Sequence, residues 1–155
     1  MADLLPVITL KATLDQPAKR PTETPKDVQG VLDALGRQAA LVDCRGIVRS
    51  VNCHWRRSVA RRPETGLHVG ECYTDYLQRL IDHGDRGVTA ILRAVHQICG
   101  GERWRFSTMY NGSGPFEGLT LKVTASRIYF DHERFAFVTV QDVTALLEGR
   151  QDTEA

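Results

Sequence analysis

The segment Ala40–Asn52, ALVDCRGIVRSVN, decides the fold, because two apolar runs flank a short polar stretch. Asp43 is suited to open a type I turn, and Gly46 can adopt the positive φ that closes it. The pattern therefore predicts a β-hairpin. Asn52 follows the second strand directly, where an asparagine side chain can cap a helix that starts at Cys53.

Upstream of the hairpin, the sequence predicts an amphipathic helix over residues 25–36. Its apolar residues recur at i, i+3, i+4 and i+7 and form one stripe, made of Val28, Val31, Leu32 and Leu35. Such a stripe needs cover, so we expect these four side chains to form a dimer or partner interface. Residues 1–24 combine prolines with charged and polar residues, and we expect a flexible tail there.

Downstream, the apolar pattern changes period. Between Cys53 and Cys99 it is helical in several short segments, and the firmest of them ends at Gly100-Gly101. Beyond these glycines the apolar residues alternate over 104–110 and again over 119–126, as strands require. The apolar run over 135–140 is continuous, which predicts a strand buried on both faces in the middle of a sheet.

The order of a hairpin, several helices and three strands predicts an α+β domain with helices on one face of an antiparallel sheet. This sequence resembles the PAS family at both ends of that region. Residues 40–52 resemble the family's opening strand, Asp-x-x-Gly turn, second strand and Asn, and VTVQDVT at 138–144 resembles its last strand and closing Asp-(Ile/Val)-Thr. The resemblance implies a five-stranded antiparallel sheet over residues 37–147, with a short tail at 148–155.

The resemblance also implies a function. PAS domains are sensory or interaction modules that bind small ligands or cofactors between the central helix and the inner sheet face. We therefore expect a module of intracellular signal transduction, not an enzyme, which forms a homodimer or binds a protein partner and has a small-molecule ligand as a possible input. The candidate pocket residues are Ile91, Leu92, Val95, His96, Trp104, Phe106, Tyr110, Leu121 and Val123. The plainer interpretation is that they only fill the core.

A haem- or flavin-binding redox or gas sensor is the main alternative. Haem-bearing relatives carry an axial histidine on the central helix, for which His96 is the candidate, and His68, His83 and Met109 are further possible ligands. The light-sensing flavin branch needs an Asn-Cys-Arg-Phe-Leu-Gln helix. Here Asn52-Cys53 matches only the first two letters and comes too early in the chain. No cofactor is therefore favoured, although haem and flavin stay possible.

Enzyme and metal chemistry find little support in the sequence. The four cysteines are widely spaced without a C-x-x-C pair, so we expect reduced thiols and no metal site. No Ser-His-Asp order, H-E-x-x-H motif or phosphate-binding glycine loop has a supporting context. A small α+β cavity enzyme is the third hypothesis, and it requires a buried ionisable side chain that faces the pocket.

Composition and length limit which partners, location and further domains we expect. The 155 residues carry 20 lysines and arginines against 19 acidic residues, so we expect neither nucleic acid nor membrane as the partner. The one basic cluster, which we interpret as a solvated helix face or a surface for an acidic protein, comprises Arg49, His54, Arg56, Arg57, Arg61 and Arg62. Without a membrane span or signal peptide, we expect a cytoplasmic protein. So few residues follow Thr144 that we expect no kinase, cyclase or DNA-binding output domain in this chain, which is then either a stand-alone regulator or an excised piece of a larger one.

Overall fold

The computed structural model describes residues 26–61, 67–112 and 116–148. The tails predicted at 1–24 and beyond 148 lie outside these residues. The helices are α1 (Lys26–Ala34), α2 (Cys53–Arg61), α3 (Tyr73–Asp82) and α4 (Thr89–Cys99), with a 3-10 turn at Arg86–Val88. The strands are β1 (Gln38–Asp43), β2 (Val48–Val51), β3 (Arg105–Asn111), β4 (Thr120–Phe130) and β5 (Glu133–Asp142).

The strands form one antiparallel sheet in the order β2-β1-β5-β4-β3. Strand β5 is central, because Val138 pairs with Ala40 on β1 while Val140 pairs with Val123 on β4. The continuous apolar run of β5 had predicted this position, and the prediction is confirmed. The sheet and its helices also confirm the α+β class.

The predicted turn is present between β1 and β2. One carboxylate oxygen of Asp43 accepts hydrogen bonds from the backbone N–H groups of Arg45, at 2.9 Å, and Ile47, at 3.0 Å. Gly46 has a φ of +84°, and a Cβ atom there would lie 2.6 Å from the hydroxyl oxygen of Thr74 on α3. The turn therefore needs glycine both for its backbone conformation and for the close approach of α3.

Asn52 fastens the hairpin to its neighbours. It is fully buried, and its side-chain oxygen accepts hydrogen bonds from the N–H groups of Ala39 and Trp55, both at 3.0 Å. Its side-chain nitrogen donates to the carbonyls of Leu32, at 2.9 Å, and Arg37, at 2.7 Å. The bond to Trp55 confirms Asn52 as the N-cap of α2, and the other three connect α2 to α1 and β1.

Two apolar clusters cover the two faces of the sheet. The larger lies between the sheet and helices α2 to α4. The smaller lies under α1, where Leu32, only 3% exposed, packs with Leu41 and Phe135. Val28 and Leu35 pack against the same cluster, whereas Val31 is 66% exposed. Most of the apolar stripe of α1 is thus covered by the domain's own sheet. None of the helices in the described ranges is long and apolar enough to cross a membrane.

Candidate functional site

A cavity of about 430 Å³ lies on the helical face of the sheet. Its walls come from α2, α3, the start of α4 and the inward residues of β3, β4 and β5. Arg37, Arg61 and Asp142 line the cavity and are exposed, so they mark its mouth. The volume lies in the range of about 300–1,000 Å³ that is usual for small-molecule pockets.

The interior of the cavity is apolar. Its buried apolar lining side chains, apart from the two buried tyrosines, are Trp55, Leu67, Leu77, Val88, Ile91, Leu121 and Val123. The indole N–H of Trp55 donates to the carbonyl of Leu67 at 3.0 Å, which fixes the ring as one wall. Tyr73 meets that ring edge to face, with the centroids 6.4 Å apart. A rigid aromatic corner of this kind suits an apolar ligand.

Tyr73 brings a hydroxyl group into this apolar lining. The residue is 5% exposed, and its hydroxyl forms no hydrogen bond with any residue that the structure describes. The hydroxyl oxygen is not one of the fully enclosed polar atoms that lack a partner, so it keeps contact with the cavity space and is available for whatever occupies the cavity. Burial, together with the neighbouring Tyr76, raises the pKa of Tyr73 above its ordinary value, and the phenol stays protonated at neutral pH.

Tyr110, by contrast, has a protein partner. Its hydroxyl donates to the carboxylate of Asp85, which also accepts from the N–H of Gly87 at 3.2 Å. Asp85 is buried but does not line the cavity. Burial raises the pKa of Tyr76 to about 12; Arg79 opposes this rise, and Asp85 adds a smaller raising contribution. Asp85, which is bonded to Tyr110 and Gly87 and does not line the cavity, therefore does not supply the ionisable side chain that the hypothesis of a cavity enzyme needs.

The predicted pocket residues fall into three groups. Ile91, Tyr110, Leu121 and Val123 line the cavity. A second group packs in the same core without reaching the cavity, and it comprises Leu92, Val95 and Phe106. His96 and Trp104 lie outside: His96 is exposed on α4, and Trp104 is 65% exposed.

Trp104 lies at the surface because two arginine side chains, those of Arg127 and Arg134, cover the sheet beyond the end of α4. The guanidinium of Arg127 stacks on the indole at 3.6 Å and donates to the carbonyl of Gly101 at 2.8 Å. Arg134 donates to the carbonyl of Cys99 at 3.1 Å. The last carbonyls of a helix lack intrahelical partners and carry partial negative charge. Arg134 satisfies the last of them, that of Cys99, while Arg127 bonds just beyond the helix, at Gly101. Trp104 packs on the outside of this arrangement.

Sequence reasoning missed the contribution of α2 and α3 to the cavity. Trp55, Tyr73 and Tyr76 all line it, and none of them was proposed. A signal existed in α3, since Tyr73, Tyr76, Leu77 and Leu80 recur at helical spacing. In α2 no stripe singles out Trp55, because basic residues surround it.

The side chains predicted as possible cofactor ligands do not line the cavity. His54, half-buried on α2, is the only histidine among the described lining residues. His68, His83 and Met109 are exposed and do not line it. Across ranges 26–61, 67–112 and 116–148, no three His, Cys, Asp or Glu side chains are grouped to hold a metal ion.

The predicted basic cluster does not form one open surface. Arg49 is largely buried and pairs with Asp43, at 3.4 Å, and Glu133, at 2.9 Å. Arg56 pairs with Asp33 at 3.4 Å. Arg62 lies outside the described residues. Only part of the cluster is therefore available to solvent or to a partner.

Comparison with known proteins gives the fold. No protein-family model matches the chain, and no curated protein matches it in sequence. Among solved structures, the sensor region of a sensor histidine kinase superposes with a TM-score of 0.54 at 14% identity, over 72% of this chain and 41% of that one. The PAS domain of BvgS from Bordetella pertussis superposes with a TM-score of 0.54 at 11% identity, over 83% and 95%. The chain thus spans less than half of the sensor region but nearly all of the BvgS domain, and it has a PAS-type fold.

Proposed function

We propose that this chain is a signal-sensing PAS module, which binds a small ligand in the cavity and acts by associating with itself or with another protein. The cavity of about 430 Å³ is the observation that carries the proposal. Interiors of folded proteins are packed to near-crystalline density. A large apolar cavity therefore leaves side chains without packing partners, and a bound molecule would supply them.

A route from the cavity to α1 supports the association step. Trp55 and Arg37 line the cavity, and Asn52 bonds to the backbone of both. The same amide group bonds to the carbonyl of Leu32 on α1. A ligand that moved Trp55 or Arg37 would therefore act on the end of α1 through one buried side chain.

Two further contacts hold α1 against the end of β2 and the start of α2. The side chain of Gln29 donates to the carbonyl of Val51 at 3.0 Å. The carboxylate of Asp33 accepts from the N–H of Cys53 at 2.8 Å. Because α1 also presents Val31 to solvent, a change in its position would alter a surface that a second copy or a partner could contact.

Ligand binding can be tested by a fragment screen with ligand-observed NMR on the wild type and two variants. Val123→Phe adds bulk inside the cavity, whereas Val31→Phe makes the same change on the exposed side of α1. We expect fragments to bind the wild type and V31F, and to lose affinity for folded V123F. Fragments that bind all three proteins equally, or a screen without binders, would contradict the ligand proposal.

Self-association can be tested by analytical ultracentrifugation. Val31→Glu places a charge on the exposed side of α1, and Val69→Glu makes the same change at a position outside this helix that is 47% exposed. We expect V31E to weaken association and V69E to leave it unchanged. Equal sedimentation of all three proteins would remove α1 from the proposed interface.

The haem or flavin alternative is tested by colour. An absorption spectrum of freshly purified protein with a Soret band, or with the visible bands of a flavin, would favour a cofactor-bearing sensor. A spectrum that contains only the aromatic absorption would favour a colourless ligand.

A further inference from the structure

The chemistry of the cavity wall indicates what kind of ligand it takes, if the proposed function holds. Tyr73 and Trp55 are neighbours in the aromatic corner, but only Trp55 has a protein partner for its polar group. The hydroxyl of Tyr73 bonds to no described residue, although the side chain is 95% buried. The wall therefore offers a neutral hydrogen-bond donor to an acceptor atom inside the cavity.

The mouth adds positive charge. Arg37 and Arg61 line it, and neither forms an ion pair with a described residue. His54 lines the same region, and Asp142 is the only carboxylate among the described residues that line the cavity. Asp142 already accepts a hydrogen bond from the N–H of Thr144 at 3.0 Å. The balance of charge at the mouth therefore favours an anion.

The interior limits the remainder of the ligand. It is formed by aliphatic side chains and aromatic rings, and its other buried polar groups, those of Trp55 and Tyr110, are bonded to protein. A second charged group on the ligand would be buried there without a partner, which is strongly unfavourable. The body of the ligand should be apolar and of about the size of a substituted ring.

We propose that the cavity binds a small monocarboxylic acid with an apolar body, held as its carboxylate by the hydroxyl of Tyr73 and the positive charge at the mouth. The acid makes use of all three features at once: the apolar body fills the interior, the carboxylate accepts from the phenol, and the negative charge meets the arginines. An amide of the same shape keeps only the first two. An amine of the same shape would bring a cation to Arg37 and Arg61.

Isothermal titration calorimetry with three compounds of one shape tests the class: 4-phenylbutyrate, 4-phenylbutanamide and 4-phenylbutylamine. A hydrogen bond to a charged group contributes roughly 1.5–3 kcal/mol, which corresponds to about 10- to 100-fold in affinity. We expect the acid to bind at least about tenfold more tightly than the amide, and the amine to bind most weakly. The preference for the acid should shrink as salt is raised.

Matched variants test the residues. Tyr73→Phe removes one hydroxyl from the cavity, and Tyr129→Phe removes one from a half-exposed residue on β4. We expect Y73F to weaken binding of the acid about tenfold or more and Y129F to leave it unchanged. Arg61→Gln should also weaken binding of the acid, whereas Arg57→Gln on the same helix, which does not line the cavity, should not. R61Q keeps the test decisive if Y73F does not fold.

The outcomes separate this inference from the proposed function. If the amide or the amine binds in the cavity as tightly as the acid, or if Y73F and R61Q keep the full preference for the acid, the acid class is overturned while ligand binding stands. If none of the three compounds binds, the acid class is overturned as well. Ligand binding is then decided separately by the fragment screen with V123F and V31F.

Discussion

Two buried polar side chains, those of Asn52 and Tyr73, differ in how far their hydrogen bonds are satisfied within the protein. Asn52, at the junction of the hairpin, α1 and α2, is fully buried and makes four side-chain hydrogen bonds. Tyr73, in the cavity wall, is 5% exposed, and its hydroxyl bonds to no described residue. Buried polar groups in proteins are nearly always paired. The junction is therefore complete by itself, whereas the Tyr73 hydroxyl in the cavity wall has no hydrogen-bond partner among the described residues.

The largest expected effect comes from breaking the junction. Asn52→Ala would leave two backbone N–H groups and two carbonyls without their partner, and we expect it to lower the free energy of unfolding by about 3–5 kcal/mol. Asn111→Ala is the control, because Asn111 is exposed and accepts only one long side-chain hydrogen bond from the described residues, at 3.3 Å. Urea unfolding compares the two. Similar losses in both variants would contradict the central role of Asn52.

The hairpin turn gives the next largest effect. Gly46→Ala combines an unfavourable positive φ with a Cβ atom 2.6 Å from Thr74, and we expect a loss of about 2–3 kcal/mol. Gly118→Ala has the same φ problem, at +85°, but no atom within 4 Å of its new Cβ. It should cost only about 1 kcal/mol. Equal losses in thermal or urea unfolding would show that α3 does not press on the turn.

Tyr110 lines the cavity, but its hydroxyl is hydrogen-bonded within the protein, as the side chain of Asn52 is, so removing it should lower stability. Tyr110→Phe leaves the buried carboxylate of Asp85 without its hydroxyl donor. We expect a loss of about 1.5–2 kcal/mol, at the lower end of the range for hydrogen bonds to charged groups, since Gly87 still donates to Asp85. Urea unfolding at pH 7 measures it. A variant as stable as the wild type would indicate that this bond adds nothing.

Tyr73 should give the smallest effect on stability. Tyr73→Phe removes a hydroxyl that bonds to no described residue, so we expect the free energy of unfolding to change by less than about 0.5 kcal/mol or to rise slightly. Tyr110→Phe, measured beside it, is the matched comparison. A loss in Y73F as large as that in Y110F would mean that the Tyr73 hydroxyl already has a partner within the protein.

The same contrast explains what the sequence could predict. The hairpin is encoded locally: Asp43 and Gly46 meet the needs of one turn, and Asn52 caps the helix that follows it within three residues. The apolar run of β5 predicted its central place in the sheet by composition alone. These features require no knowledge of distant contacts.

The cavity, however, depends on contacts between distant segments. Alternation along β3 predicts that Trp104 shares a face with Phe106 and Tyr110, but it does not reveal that α4 ends before it covers that position. Arg127 and Arg134 reach the end of α4 from β4 and β5, which no periodicity shows. Helical spacing likewise identifies an apolar face of α3 without telling which of its residues border empty space.

The central claim is that the cavity binds a ligand. Methyl NMR tests it most directly, because one experiment reports on the cavity and on the apolar cluster under α1. Methyl groups of Ile91, Leu121 and Val123 report on the cavity, and those of Leu32 and Leu41 report on the cluster under α1. On titration with 4-phenylbutyrate, or with the tightest binder of the fragment screen, we predict saturable shifts in the first group that exceed those in the second. Shifts confined to Leu32 and Leu41, or no saturable shift in the cavity methyl groups with any binder, would contradict the account.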